Sequence, residues 1–151
     1  MSGKYKALLI ILAIVAMATA FDYVLMRMHD VTVVSISPNP SPADGKTPIE
    51  IVARATRGNH PVSGHDLYAV SMGSGSFKAF RVTTDANGEA VFTYFPYKST
   101  ALSPAGDVEV LIRDESISVF IEIYAQTSCT VRLTDPAEEE DTGFSMDDIF
   151  G

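Results

Sequence analysis

Ile49-Glu50-Ile51-Val52-Ala53-Arg54-Ala55 decides the fold class. Ile49, Ile51, Ala53 and Ala55 are apolar and alternate with Glu50, Val52 and Arg54. A period of two places the first set on one side of an extended chain and the charged pair on the other. A helix needs apolar residues three and four apart, which this run does not supply. The segment therefore reads as a half-buried β-strand.

Outward from it, the same period recurs. The segments 31–36, 66–70, 77–82, 90–95, 108–112, 118–124 and 128–133 each fit a strand, which makes eight with 49–55. In 118–124, Val119, Ile121 and Ile123 oppose Phe120, Glu122 and Tyr124. No helical periodicity persists beyond Val31, and no internal repeat is present. The spacers carry turn chemistry. Pro38-Asn39-Pro40-Ser41-Pro42 is a proline-stiffened lead-in, and Asn87-Gly88 between alternating segments is a strong hairpin signal. Arg57-Gly58-Asn59-His60-Pro61 and Ser103-Pro104-Ala105-Gly106-Asp107 can also reverse the chain. Short strands at this spacing predict an all-β sandwich or barrel.

Three phrases narrow that choice. Ala43-Asp44-Gly45-Lys46-Thr47, Pro61-Val62-Ser63-Gly64 and Thr84-Asp85-Ala86-Asn87-Gly88-Glu89-Ala90 follow one another in the chain. Over about residues 36–125 this resembles the bacterial Ig-like domains of the invasin and intimin type. The resemblance implies a Greek-key Ig-like β-sandwich in an extracellular protein, commonly a rod-like spacer or an adhesive tip. It makes Asp44, Gly45, Pro61, Gly64, Asp85, Asn87 and Gly88 the fold-signature turn residues. Members of that family usually occur in tandem, whereas this is one module on its own leader. That difference favours a subunit of a larger envelope assembly over a free-standing adhesin.

The leader begins with Lys4 and Lys6 and continues through fifteen uncharged residues, Ala7 to Phe21. Two readings stand. Ala16-Met17-Ala18 and Ala18-Thr19-Ala20 are small-x-small patterns of a cleavable signal peptide, with secretion following a cut after Ala20. Alternatively, fifteen helical residues span only ~22 Å, but the apolar continuation to Met28 reaches ~33 Å, enough for a single-pass anchor. Asp22 would then lie near the outer headgroups, flanked by Phe21 and Tyr23 as interfacial aromatics. Both readings keep the N-terminus inside and export the rest. The expected organisation is a signal-anchor or transmembrane helix over 1–30, contacting the membrane through residues 7–28. An Ig-like β-sandwich over 31–134 and a disordered acidic tail over 135–151 follow.

The formal charge is −8, but seven acidic residues and no basic ones fall in 135–151, leaving −1 for the remainder. A nearly neutral body is unsuited to a phosphate backbone, so no nucleic acid is expected. The tail ends in four large apolar residues, Phe144, Met146, Ile149 and Phe150, within an otherwise solubilising stretch. Such a cluster points to a docking peptide for other protein subunits, further copies of this chain included.

Chemistry-bearing motifs are sparse. Cys129 is the single cysteine, so no internal disulfide can form, and its place in an alternating run reads as a small buried side chain. His29, His60 and His65 lack metal-ligand spacing, and Asp44, Asp85 and Asn87 do not form a calcium-loop series. Gly73-Ser74-Gly75-Ser76 lacks the lysine and helix of a phosphate cradle and reads as a flexible loop. No catalytic residue, cofactor, metal or small-molecule substrate is expected. The expectation is a non-enzymatic structural or interaction subunit of a cell-envelope or filament assembly. The alternative is a surface adhesion protein binding ligand through its sandwich loops.

Overall fold

The computed structural model describes residues 3–136. It opens with one helix, α1 (Gly3–Met28), and then runs through eleven strands. They are β1 (His29–Ser37), β2 (Ser41–Pro42), β3 (Ile49–Arg57), β4 (His60–Pro61), β5 (Asp66–Ser71) and β6 (Ser76–Phe77). After these come β7 (Arg81–Thr83), β8 (Glu89–Phe95), β9 (Val108–Asp114), β10 (Gln126–Val131) and β11 (Leu133–Thr134). One sheet has the order β1-β3-β8-β6, with β4 pairing β3; the other has the order β10-β9-β5-β7. A short parallel pair joins β11 to β2. Two sheets face each other over one core, which makes this an Ig-like β-sandwich.

The alternation read from the sequence is what builds that core. Ile49, Ile51, Ala53 and Ala55 are all buried, and they meet Ala90, Phe92 and Tyr94 of β8. From the opposite sheet come Leu67, Ala69, Val110, Ile112 and Val131. Small alanines beside Phe92 and Tyr94 let the layers interdigitate at interior density. Tyr94 carries a hydroxyl into this apolar layer, and it donates to the Ser74 carbonyl at 2.6 Å. That bond, with Gly75 closed over the ring, ties the 73–76 loop down to the core where the sequence suggested flexibility.

Three expected strands differ. Residues 128–133 break at Arg132: 128–131 belong to β10, whereas Leu133 pairs with Ser41 in the short parallel pair. Residues 77–82 do not form one strand: Phe77 pairs with Tyr94 in the first sheet, and Arg81–Thr83 pair with β5 in the second. The chain changes sheets at 78–80, so a single alternation covers two edges. Residues 118–124 form no strand at all. Their apolar alternation is real, but the backbone donors of Val119, Phe120 and Ile121 are taken by a side-chain carboxylate rather than by a neighbouring strand.

Register gives the sandwich two poles. His29 opposite Arg57, Arg54 opposite Glu89, Asp66 opposite Thr83 and Gln126 opposite Arg113 lie at the helix end. Ser37 opposite Glu50, Ser71 opposite Val110 and Val131 opposite Val108 lie at the far end. β11 follows at that far end, so residues 135 and 136 leave the sandwich opposite the helix. Phe144, Met146, Ile149 and Phe150 lie outside the described residues.

Candidate functional site: the helix end of the sandwich

α1 is uninterrupted and apolar enough to cross a membrane, and most of its side chains are exposed. It has no amphipathic face turned into the protein, so the surface of Leu8, Ile10, Ile11, Leu12 and Ile14 awaits an apolar surrounding. Near its outer end the helix does engage the sandwich. Met26 packs against the core, and His29 Nδ1 lies 2.8 Å from the Leu25 carbonyl.

Asp22 makes the principal connection. It is buried, and its carboxylate accepts the backbone N–H groups of Val119 at 3.1 Å, Phe120 at 2.7 Å and Ile121 at 2.5 Å. The Ser118 hydroxyl approaches the same carboxylate at 3.4 Å and also donates to the Ile121 carbonyl. Successive amides converging on one oxygen pair form an anion nest, here filled by the protein's own side chain. From the sequence Asp22 is expected near the headgroups, with no partner in view. The only signal was an acid interrupting an apolar run.

Holding the loop this way turns Val119 and Phe120 outward. Both remain largely exposed, and Phe120 meets Phe21 edge to face at a centroid distance of 5.9 Å. An open groove of about 550 Å³ runs between them and the helix, lined by Ile14, Met17, Ala18, Phe21, Val119 and Phe120.

Beneath the loop, Asp114 at the end of β9 is fully buried and is matched by polar partners. His65 Nδ1–H donates to its Oδ2 at 2.6 Å, and the Ser116 N–H donates to its Oδ1 at 3.0 Å. The His65 ring lies 5.5 Å from that of His29. The two histidines thus bridge the base of the helix and the second sheet, while His60 is exposed in β4.

A second feature sits beside this junction, on the outer face of the β10-β9-β5-β7 sheet. The Arg113 guanidinium lies between the rings of Tyr68 and Tyr124, 4.9 and 4.8 Å from their centroids. It donates to Glu115 Oε1 at 2.9 Å, and Arg81 binds the other oxygen of Glu115. Burial acts to raise the Glu115 carboxyl, yet the bonds from Arg81 and Arg113 hold it below its ordinary value. The two arginines share Glu115, which makes an aromatic and ionic platform bordered by an open cleft of about 440 Å³. Tyr124, and Glu122 in the cleft lining, come from residues 118–124, which form no strand.

The turn residues occupy structural positions. Asp44 accepts the N–H groups of Lys46 and Thr47 and the Thr47 hydroxyl, at 2.8, 2.8 and 2.6 Å, while Gly45 has φ +74°. Asp85 accepts the N–H groups of Asn87 and Glu89 at 2.8 and 2.9 Å. Gly88 donates its own N–H to the Asp85 carbonyl and lies against Ala55, Pro61 and Val62, and Gly64 bonds to the Thr84 carbonyl. The second and third signature phrases therefore meet at the helix end of the first sheet. Among the described residues no three His, Cys, Asp or Glu side chains converge as a metal site would require.

Solved structures share this architecture. A structure of the D00–D0 domains of intimin superposes with a TM-score of 0.52 at 16% identity, over 68% of this chain and 47% of that one. The fold is that of the intimin Ig-like domains. A C-terminal fragment of intimin in complex with the intimin-binding domain of the translocated intimin receptor gives a TM-score of 0.51 at 19% identity. That match covers 68% of this chain and 33% of the fragment. The chain thus spans less than half the length of either intimin structure, and at these identities the intimin likeness concerns the fold. Neither a protein-family model nor the sequence of any curated protein matches the chain.

Proposed function

We propose that this protein is a membrane-anchored, extracytoplasmic Ig-like module acting as a non-enzymatic structural or interaction subunit of a cell-envelope or filament assembly. The observation that carries this reading is the clamp of Asp22 on residues 118–121. A cleaved leader has no use for a buried carboxylate bonded to the mature domain, whereas a retained anchor gains a fixed angle between helix and sandwich. Intimin domains, one of them seen with a receptor domain, lend the interaction role support from fold analogy alone.

The position of the Arg113 platform favours a lateral neighbour over a distant ligand. Tyr and Arg in a preformed, low-entropy arrangement are common anchors of protein contacts. Here they lie at the helix end, beside the membrane, where another subunit on the same membrane would reach them. The exported tail supplies a second contact through Phe144, Met146, Ile149 and Phe150. It departs from the opposite pole, so one copy can engage neighbours at two heights.

Native sizing after mild detergent extraction tests this. A defined oligomer or complex larger than one chain is expected. Removing residues 143–151, or changing Arg113→Ala together with Tyr124→Ala, should shrink it. A monomer before and after these changes contradicts the subunit reading and leaves adhesion through the far-end loops as the better account.

A further inference from the structure

We propose that residues 118–121 form a membrane-inserting wedge, with Val119 and Phe120 buried among the acyl chains of the outer leaflet beside α1. This deepens the anchor reading and rests on it. The loop's two apolar side chains are more than three-fifths exposed, Val119 at 61% and Phe120 at 62%. They lie along the helix with Ile14, Met17, Ala18 and Phe21, so the groove between loop and helix begins beside Asp22, at Phe21, and extends about 10 Å inward along the axis. Any bilayer that covers the apolar stretch from Ala7 to Phe21 also covers that groove.

Irregular backbone ordinarily stays out of the apolar region because its polar groups lose their water partners. This loop meets that cost on the donor side. The N–H groups of Val119, Phe120 and Ile121 are all satisfied by Asp22, the Ile121 carbonyl by Ser118 and the Ile123 N–H. Asp22 itself is screened by the amides that wrap it. A carboxylate next to an apolar span and an aromatic side chain beside it thus become one unit suited to the headgroup–acyl boundary, where aromatic rings are favoured. An acyl chain fits the groove because its walls are continuous with the lipid-facing surface of α1. The consequence is a second point of contact that stops the sandwich from swinging about a single helix.

The test uses the full chain in a Cys129→Ser background, reconstituted in phosphatidylcholine–phosphatidylglycerol vesicles. An environment-sensitive fluorophore is placed at Phe120→Cys, with Val119→Cys as a second wedge site, Leu12→Cys as anchor control and Met72→Cys as far-end control. Lipids brominated at shallow or deep positions serve as quenchers. The wedge predicts blue-shifted emission at 119 and 120 and several-fold stronger quenching by shallow bromines than at 72, with 12 quenched by deep bromines. Quenching at 12 but not at 119 and 120 overturns the wedge and leaves the anchor standing. Loss of quenching at 12 as well overturns both. Wedge probes shielded from lipid and from aqueous iodide, with cross-linking between copies, would assign the groove to a second helix and likewise overturn the proposal.

Discussion

The Asp22 carboxylate accepts the Phe120 N–H at 2.7 Å, joining residues 98 positions apart in the chain. Helix and sandwich are each legible as separate units, but this bond makes them one oriented body. It also explains why an acid stands in the outer part of an apolar helix. Its charge is satisfied by donors of the protein itself.

Replacing that acid should therefore loosen the junction more than the sandwich core. Asp22→Ala leaves three amides without their acceptor, and an unpaired donor in a poorly hydrated place is costly. The thermal midpoint in detergent should fall by several degrees, and limited proteolysis should cut within 118–124. Asp22→Asn, which keeps an acceptor oxygen but not the charge, should lie between wild type and alanine. Unchanged proteolysis in both variants would show the contact to be incidental.

Gly88 offers a sharper measurement of fold stability. A Cβ there would stand 2.6 Å from the Ala55 carbonyl and 2.9 Å from the Val62 nitrogen, at φ +72°. Gly58 has a comparable φ of +59° but nothing within 4 Å. Gly58→Ala should cost about 1 kcal/mol, the backbone penalty alone. Gly88→Ala adds a clash with backbone atoms that cannot give way, so a loss of about 3 kcal/mol or more is expected. Denaturant titration of the two variants gives the comparison directly.

Much of this was readable from the order of residues, and the failures have a common cause. Ile49 to Ala55 declared a strand because burial on one face needs nothing but period two, and the Asn87-Gly88 turn followed from local conformational preference. Residues 118–124 show the same period yet form no strand, because a carboxylate 98 positions away competes for the donors a ladder would use. Residues 77–82 alternate as well, but pattern does not say which sheet a residue joins. The Arg113 platform was equally hidden, since its members are spread over β5, β7, β9 and the 118–125 segment. Long-range polar pairing leaves little trace in local sequence.

Asp44 should give the sandwich an acid-sensitive component. The Thr47 hydroxyl, then the Thr47 and Lys46 amides, hold its carboxyl down to about 2 from an ordinary 3.8. A carboxylate whose folded value is depressed stabilises fully above its unfolded value, and the contribution disappears as pH falls through the folded one. The loss attributable to Asp44 thus lies between about pH 4 and pH 2. Melting curves of wild type and Asp44→Asn should converge across that window and separate above it. A difference that stays constant with pH would contradict the assignment.

Cys129, half-buried against the core, should behave as a slowly reacting thiol. Burial beside Val110 pushes it up to about 11, so it stays protonated near neutrality. Alkylation of the folded protein at pH 8 should be much slower than in denaturant, and should accelerate as pH approaches 11. Rapid labelling of the native chain at pH 8 would contradict the packing of Cys129 against the core.

The central claim is that α1 holds an Ig-like unit on the outside of the membrane. A membrane-impermeant maleimide applied to intact cells tests it most directly, using Met72→Cys at the far end of the sandwich and Lys4→Cys at the start of the helix, each with Cys129→Ser. The account predicts that position 72 labels on intact cells in the membrane fraction while position 4 labels only after lysis. Labelling of position 4 but not 72 on intact cells, or recovery of position 72 in a soluble protein lacking the helix, would contradict it.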